Sequence, residues 1–198
     1  MKRLIILVLT LACSCNQSKP KHPSALEASI VPKVFRLNTD PSFRVENDVV
    51  FLGKTPYSGF VYQLDALTKD TLSLEGYSAG LLNGRSKKWY PNRQLMEERY
   101  YAQGKKQGRQ LAYWENGQKR FEFTAINDAY EGELKEWSHE GLLFHLAHYS
   151  NGQEEGVQKL WYDNGKIRAN YVMIQGKRFG LLGTKNCKNV SDSIFVVQ

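Results

Sequence analysis

The chain has 198 residues, a formal net charge of +7 and 24% charged residues. Both signs are scattered with no basic stripe, so the charges read as solvated sheet faces and argue against a nucleic-acid partner. Aromatic residues make up 12% of the chain and helix-favouring alanine is scarce, a balance that favours β structure.

The chain opens MKRLIILVLTLACSCNQ. Lys2 and Arg3 precede an apolar run, Leu4 to Ala12. Spanning a bilayer takes about 20 apolar residues, so this run reads as a secretory signal and not an anchor helix. Cysteine directly after the apolar core resembles a bacterial lipoprotein signal, in which that Cys becomes the lipid-bearing first residue. Cys15, with Ser14 before it and Asn16-Gln17 after it, is the favoured site and Cys13 the alternative. An ordinary cleaved signal peptide is the competing reading, and in either case the protein is exported. Residues 1–15 are then the signal, and the formal charge of the mature chain drops to about +5 as Lys2 and Arg3 leave. Only Cys187 remains beside them, so no intramolecular disulfide framework is expected. Residues 16–45, broken by Pro20, Pro23, Pro32 and Pro41, suit a tether. The apolar patch from Ile30 to Phe35 is a possible docking point or early strand within it.

Residues 46–183 hold a repeat. Gly84, Gly108, Gly132, Gly156 and Gly180 stand 24 residues apart. Five residues after the first four comes an aromatic: Trp89, Tyr113, Trp137 and Trp161. Then follow Asn92-Arg93, Asn116-Gly117, Glu140-Gly141 and Asn164-Gly165. A second turn signal falls half a repeat later, at Ala79-Gly80, Gln103-Gly104, Asn127-Asp128, Asn151-Gly152 and Gln175-Gly176. Turn residues that tolerate positive φ, spaced about every 12 residues with short β-prone runs between them, predict a series of hairpins. Because 24 is even, each column keeps its face from repeat to repeat. Leu95, Leu143 and Ile167 share a column, as do Tyr77, Tyr101 and Tyr149, and Phe123 and Tyr171. The fold class is therefore all-β: an elongated antiparallel meander of about five stacked hairpins in an open sheet with caps. A glycine inside a strand weakens it unless the missing side chain is needed. The expected need is a Tyr or Phe ring covering each bare glycine backbone. Residues 184–198, which include Ile194-Phe195-Val196-Val197, are expected to cap the last open edge.

The pattern G-x4-[WY]-[YW]-x-N-G, together with "YEGEL" at Tyr130 to Leu134, resembles the MORN repeat. It is most similar to the variant form in bacterial exported proteins filed as YwqK-type "antitoxin" family members. The likeness covers about Tyr57 to Gly183 and implies the same hairpin meander. The first unit, "PYSGFVYQLDALTKDTLSLEGY", departs from it: Gly59 falls one place early and no Asn-Gly turn follows, which predicts a longer loop and a capping repeat.

Chemistry-bearing motifs are few. No H-E-x-x-H or phosphate-cradling glycine loop occurs, and the one G-x-S-x-G match, Gly76 to Gly80, falls on the Ala79-Gly80 turn signal between predicted strands and not before a helix; no cofactor is expected. His139 lies in a predicted turn, while His145 and His148 have opposite strand parity, so the three make a poor metal site. Glu97-Glu98, Glu131-Glu133 and Glu154-Glu155 offer carboxylate pairs, and Cys187 lacks an assignable base. The first aromatic column, Trp89, Tyr113, Trp137 and Trp161, is expected in the core. Tyr90, Trp114 and Tyr162 are expected on the opposite face as a candidate binding row for a glycan or peptide. These residues predict a non-enzymatic, lipid-anchored envelope protein whose sheet meets a protein or polysaccharide partner. An antitoxin that neutralises a partner toxin and an envelope glycan hydrolase are the alternatives.

Overall fold

A computed structural model describes residues 31–181. Its strands are β1 Phe35–Leu37, β2 Phe43–Glu46, β3 Val49–Leu52, β4 Thr55–Pro56, β5 Gly59–Leu64, β6 Thr71–Ser78, β7 Leu81–Leu82, β8 Gly84–Trp89 and β9 Leu95–Ala102. They continue as β10 Lys105–Lys106, β11 Gly108–Tyr113, β12 Lys119–Ile126, β13 Ala129–Trp137, β14 Leu143–Ser150, β15 Gln153–Trp161, β16 Ile167–Ile174 and β17 Lys177–Leu181. Among the described residues there is no helix. One open sheet runs β1-β5-β6-β8-β9-β11-β12-β13-β14-β15-β16-β17, with β7 beside β6 and β10 beside β9. At about 4.8 Å per strand the path is about 50 Å across.

Two kinds of turn alternate, as the spacing predicts. The tight turns have both central residues at positive φ: Gln103 49° and Gly104 81°, Asn127 51° and Asp128 71°, Asn151 50° and Gly152 78°. These are two-residue turns of the type whose twist matches the flanking strands. At the opposite edge the turn is wider. The Gly117 N–H donates to the Trp114 carbonyl at 2.9 Å and the Trp114 N–H to the Gln118 carbonyl at 2.8 Å, with Gly117 at φ 87°. Tyr90–Gln94, Ser138–Leu142 and Tyr162–Lys166 repeat that pattern.

The glycine column has a different cause from the one expected. Opposite each of Gly84, Gly108, Gly132 and Gly156, the glycine-bearing side of the hairpin carries two more residues than its partner. Phe123 pairs with Leu134, for example, but its neighbour Thr124 pairs with Glu131. The surplus is accommodated by positive φ, 73°, 79°, 73° and 83° at the four glycines, where an L side chain is disfavoured. No Tyr or Phe ring is among their nearest neighbours, and only at Gly156 does a ring, the His148 imidazole at 3.6 Å, approach the Cβ position. A Cβ placed at Gly108 or Gly132 would meet nothing within 4 Å. Backbone conformation at a bulge, not aromatic cover, selects glycine here. Gly180 differs again: a Cβ there would lie 2.7 Å from the Asn170 carbonyl oxygen.

The expected tether ends earlier than residue 45. Phe35–Leu37 joins β5 in parallel, Phe35 opposite Phe60 with their rings stacked at 5.2 Å. The Phe60 N–H donates to the Val34 carbonyl at 2.7 Å, so an apolar run read as linker satisfies the exposed edge of β5. β2, β3 and β4 form a separate small sheet, tied to the main one by Val50 N–H to the Gly80 carbonyl at 2.8 Å and Gly80 N–H to the Tyr57 carbonyl at 2.7 Å. The longer loop of the first unit is present, closed on Asp65, whose carboxylate accepts from the Leu67 and Thr68 N–H groups. The signal, Cys13, Cys15, the C-terminal cap and Cys187 lie outside the described residues.

The core is built from smaller pieces than expected. Its buried members include Ala125, Ala147, Phe123, Leu134, Ala112, Ala169 and Tyr171. Phe123, Ala125, Leu134 and Ala147 form one cluster and, two repeats on, Ala169, Tyr171 and Met173 form another. The Trp89, Tyr113, Trp137, Trp161 column is only half-buried, because it sits at the last residue of each strand, where the sheet ends. Phe123→Ala is expected to lower stability by about 3–5 kcal/mol, measured by denaturant melts, and Trp137→Ala by distinctly less. Gly132→Val should cost at least about 1–2 kcal/mol through backbone strain alone, with Gly132→Asn milder because Asn tolerates that conformation. Equal losses from the Val and Asn variants would contradict the backbone explanation.

Candidate functional site

Because the surplus residues fall at the same place in successive hairpins, the bulges align across the strands and the sheet creases there. Over the crease lies an open groove of roughly 1120 Å³, walled by β8 to β14 and passing over Gly84, Gly108 and Gly132. Strand alternation turns Glu98 and Tyr100 of β9, Arg109 and Leu111 of β11, and Glu122 and Thr124 of β12 into it. Leu111 is opposite Glu98 on one side and Glu122 on the other, and Glu122 is opposite Lys135 of β13.

Most charges in the groove are paired, while Glu131, which also lines it, accepts from the Asn151 N–H and meets no cation among the described residues. Tyr100 Oη donates to Glu98 Oε1 at 2.8 Å, and Arg85 Nε donates to Tyr100 Oη at 2.8 Å, with Lys87 Nζ 3.5 Å from Glu98 Oε2. One repeat on, Glu122 receives Arg109 Nε at 2.7 Å and Lys119 Nζ at 2.7 Å. Lys135 Nζ donates to Glu133 at 2.7 Å. Burial opposes ionisation of Glu122, but the hydrogen bonds and charges of Lys119 and Arg109 outweigh it and hold the carboxyl below its ordinary value of 4.5.

Under the crease, on the opposite face, is a column two residues after each glycine: Ser86, Gln110, Leu134 and Gln158, all buried. Gln110 Nε2 donates to the Tyr100 carbonyl at 3.0 Å and Gln158 Nε2 to the His148 carbonyl at 2.7 Å. Each amide thus serves a carbonyl where the bulge breaks the backbone ladder. A second column one residue before each glycine ties neighbouring tight turns together. Gln107 Oε1 accepts from the Asn127 N–H at 3.1 Å and Glu131 Oε2 from the Asn151 N–H at 2.9 Å. The same 24-residue ruler that located the glycines contains both columns, one place before and two places after. They escape notice because Ser, Gln and Leu, or Asn, Gln and Glu, look unrelated until the bulge shows their common place.

The proposed aromatic row is placed differently from its expectation. Tyr90, Trp114 and Tyr162 follow the last strand residue and begin the wide turn, so strand alternation does not turn them to the far face. Tyr90 Oη donates to the Tyr113 carbonyl at 3.0 Å and Trp114 Nε1 to the Trp137 carbonyl at 3.1 Å, each reaching into the next repeat. Ser138 occupies the equivalent place in the Gly132 unit, interrupting the row. Tyr162 is 41% exposed. The other column ends strands: Trp89, Trp137 and Trp161 sit opposite Leu95, Leu143 and Ile167, and Tyr113 opposite Lys119. Lys119 Nζ lies 5.4 Å from the Trp137 ring centre, which joins that column to the groove.

The histidines do not converge. His145 Nδ1 is 2.7 Å from Glu136 on the core face, His148 Nδ1 is 3.1 Å from the Glu155 carbonyl, and His139 sits in a wide turn beside Glu115. Among the described residues no three His, Cys, Asp or Glu side chains gather as metal ligands. Of the adjacent glutamates, Glu97 faces Lys88 and Arg99 on the core side while Glu98 enters the groove.

No protein-family model matches the chain, and no curated protein matches it. A solved structure of a Staphylococcus aureus TarM mutant in complex with Fondaparinux, alpha-GlcNAc-glycerol and UDP is similar at a TM-score of 0.32 and 13% identity. The match covers 56% of this chain and 21% of that one, and a likeness this slight informs neither fold nor chemistry.

Because the Glu122 carboxyl is held below its ordinary value, its ion pairs contribute stability above that value, and the contribution is lost as pH falls through the depressed one. Glu122→Gln is therefore expected to narrow the stability difference between neutral and acidic pH, read from melts across the range below 4.5. An unchanged acid dependence would mean the pairs of Glu122 with Arg109 and Lys119 contribute nothing.

Proposed function

We propose that the chain is an exported, lipid-anchored envelope protein of the MORN-variant type, whose β-repeat sheet is a non-enzymatic interaction surface for a protein or polysaccharide. The observation that supports this reading best is the groove over the glycine crease. It is open, lined by successive repeats, and filled with donors and acceptors already fixed by one another. Such preorganised groups suit recognition, since little ordering remains to be done on binding. Glu122 itself is drawn below its ordinary value, the opposite of what the general acid of a glycosidase needs, which argues against that role for Glu122. The apolar run before Cys13 and Cys15 supports export and anchoring.

The test uses the full chain expressed in a bacterium with its own leader. Wild type is expected to fractionate with membranes and, after cross-linking in intact envelopes, to carry a protein or polysaccharide adduct. Cys13→Ser with Cys15→Ser should release it or leave an unprocessed precursor. Arg109→Glu with Lys135→Glu should lose the adduct while remaining on the membrane. Membrane fractionation unchanged in the double Ser variant would overturn anchoring. An adduct indifferent to the groove charges, or sugar release abolished by Glu98→Gln, would overturn the non-enzymatic surface.

A further inference from the structure

We infer that the groove over the glycine crease binds an unbranched, uncharged, β-linked polysaccharide chain lying across the strands, an assignment that rests on the interaction-surface reading above. Direction and pitch come first. The groove crosses the strands because its lining comes from matching positions of successive repeats. The pair Arg85–Glu98 between β8 and β9 recurs as Arg109–Glu122 between β11 and β12. Two strand spacings separate them, about 9.6 Å. An extended β-linked chain offers equivalent hydroxyls once per disaccharide at a comparable distance, whereas α-linked chains coil away from a straight row.

Charge comes second. Glu98, Glu122 and Glu133 each already hold a cation, and Arg85, Arg109, Lys119 and Lys135 each already hold a carboxylate. A polyanion or polycation would have to break these pairs to enter. A hydroxyl can donate to the free lone pair of a pinned carboxylate and accept from a pinned guanidinium at once, without disturbing either. Paired groups of both signs follow one another from Arg85–Glu98 to Arg109–Glu122 and Lys135–Glu133, with Glu131 alone meeting no cation among the described residues, so the pairs offer little long-range attraction to a charged polymer.

The floor and the edges come third. The Arg85 guanidinium lies 5.3 Å from the Tyr100 ring centre, and Leu111 sits between the two glutamates. Leu111 is only 8% exposed and floors the groove, so the half-buried Tyr100 is the ring offered to the C–H faces of sugar rings. The glycines add room: with nothing within 4 Å of a Cβ at Gly108 or Gly132, the chain can approach the backbone there. A peptide finds less to use. β8, β9, β11, β12 and β13 are paired on both sides, so the groove presents no free ladder for strand addition.

Titration calorimetry of the mature chain with chitohexaose and cellohexaose, and with the corresponding di- and tetrasaccharides, tests the assignment. At least one neutral series is expected to bind, with affinity rising at least tenfold from disaccharide to hexasaccharide as a second repeat is engaged. Raising salt from 50 to 300 mM should change it less than about threefold, since no net charge is neutralised. Tyr100→Ala and Arg109→Gln should each weaken hexasaccharide binding at least fivefold while melting as cooperatively as wild type. Length-independent binding, or tighter and steeply salt-dependent binding of a heparin hexasaccharide or a chitosan hexamer, would overturn it. No binding by either neutral series also overturns it. If the groove-charge variants still abolish a protein adduct in envelopes, the surface reading survives with a protein as occupant. If they do not, both readings fall together.

Discussion

The constraint on which this molecule depends is that a 24-residue hairpin cannot satisfy its own edges. Each unit has one strand pair, a handful of apolar side chains and two turns, and it becomes stable only when its neighbours complete the backbone ladder. Continuity is enforced at both rims. On the tight-turn side, the Gly152 N–H donates to the Tyr130 carbonyl and the Gly104 N–H to the Leu82 carbonyl. On the wide-turn side, Asn92 Nδ2 donates to the Glu115 carbonyl and Asn116 Nδ2 to the His139 carbonyl. Where Asn92 and Asn116 do this they also cap their own turn, accepting from the Gln94 and Gln118 N–H groups. One residue type therefore both shapes a turn and binds it to the next.

The bulge is the second organising element, and it links fold to site. Two surplus residues per hairpin bend the sheet along a line, force glycine into the left-handed region, and break the ladder. Glutamine from beneath repairs part of the break, while the absence of side chains above leaves a groove. The fully buried Oε1 atoms of Gln110 and Gln158 accept no hydrogen bond from protein, so the repair is incomplete. Leu134 takes that place in the Gly132 unit, packed with Phe123, Ala125 and Ala147 of the strands on either side. The column therefore tolerates either a plug that hydrogen-bonds or one that simply excludes water.

The wide-turn aromatics show how a surface-like residue becomes structural. Tyr and Trp have an apolar body and a polar tip, and at Tyr90 and Trp114 the tip is spent on a neighbour's carbonyl. Rings in this position stitch repeats, which shifts attention for binding to the crease. There the polar groups are held by one another and still face outward.

Much of the fold was legible in the sequence. The 24-residue ruler, the two turn types, the even period that preserves faces and the irregular first unit all follow from local chemistry. Positive φ at Gln103-Gly104 or Asn151-Gly152 depends on those two residues and the strands beside them, and side-chain alternation is a property of any extended chain. The early strand Phe35–Leu37, the reason for the glycines, the true core and the groove were settled only by tertiary structure. Phe35 pairs with Phe60 across the small sheet that lies between them in the chain. Gly132 needs its conformation because of how many residues β12 places opposite β13, a number no single strand records. Trp137 and Trp114 differ by less in sequence than in fate, since one ends a strand and the other opens a turn. Register decides which carboxylate faces which cation, and register is a relation between strands, fixed when the bulges align and not before.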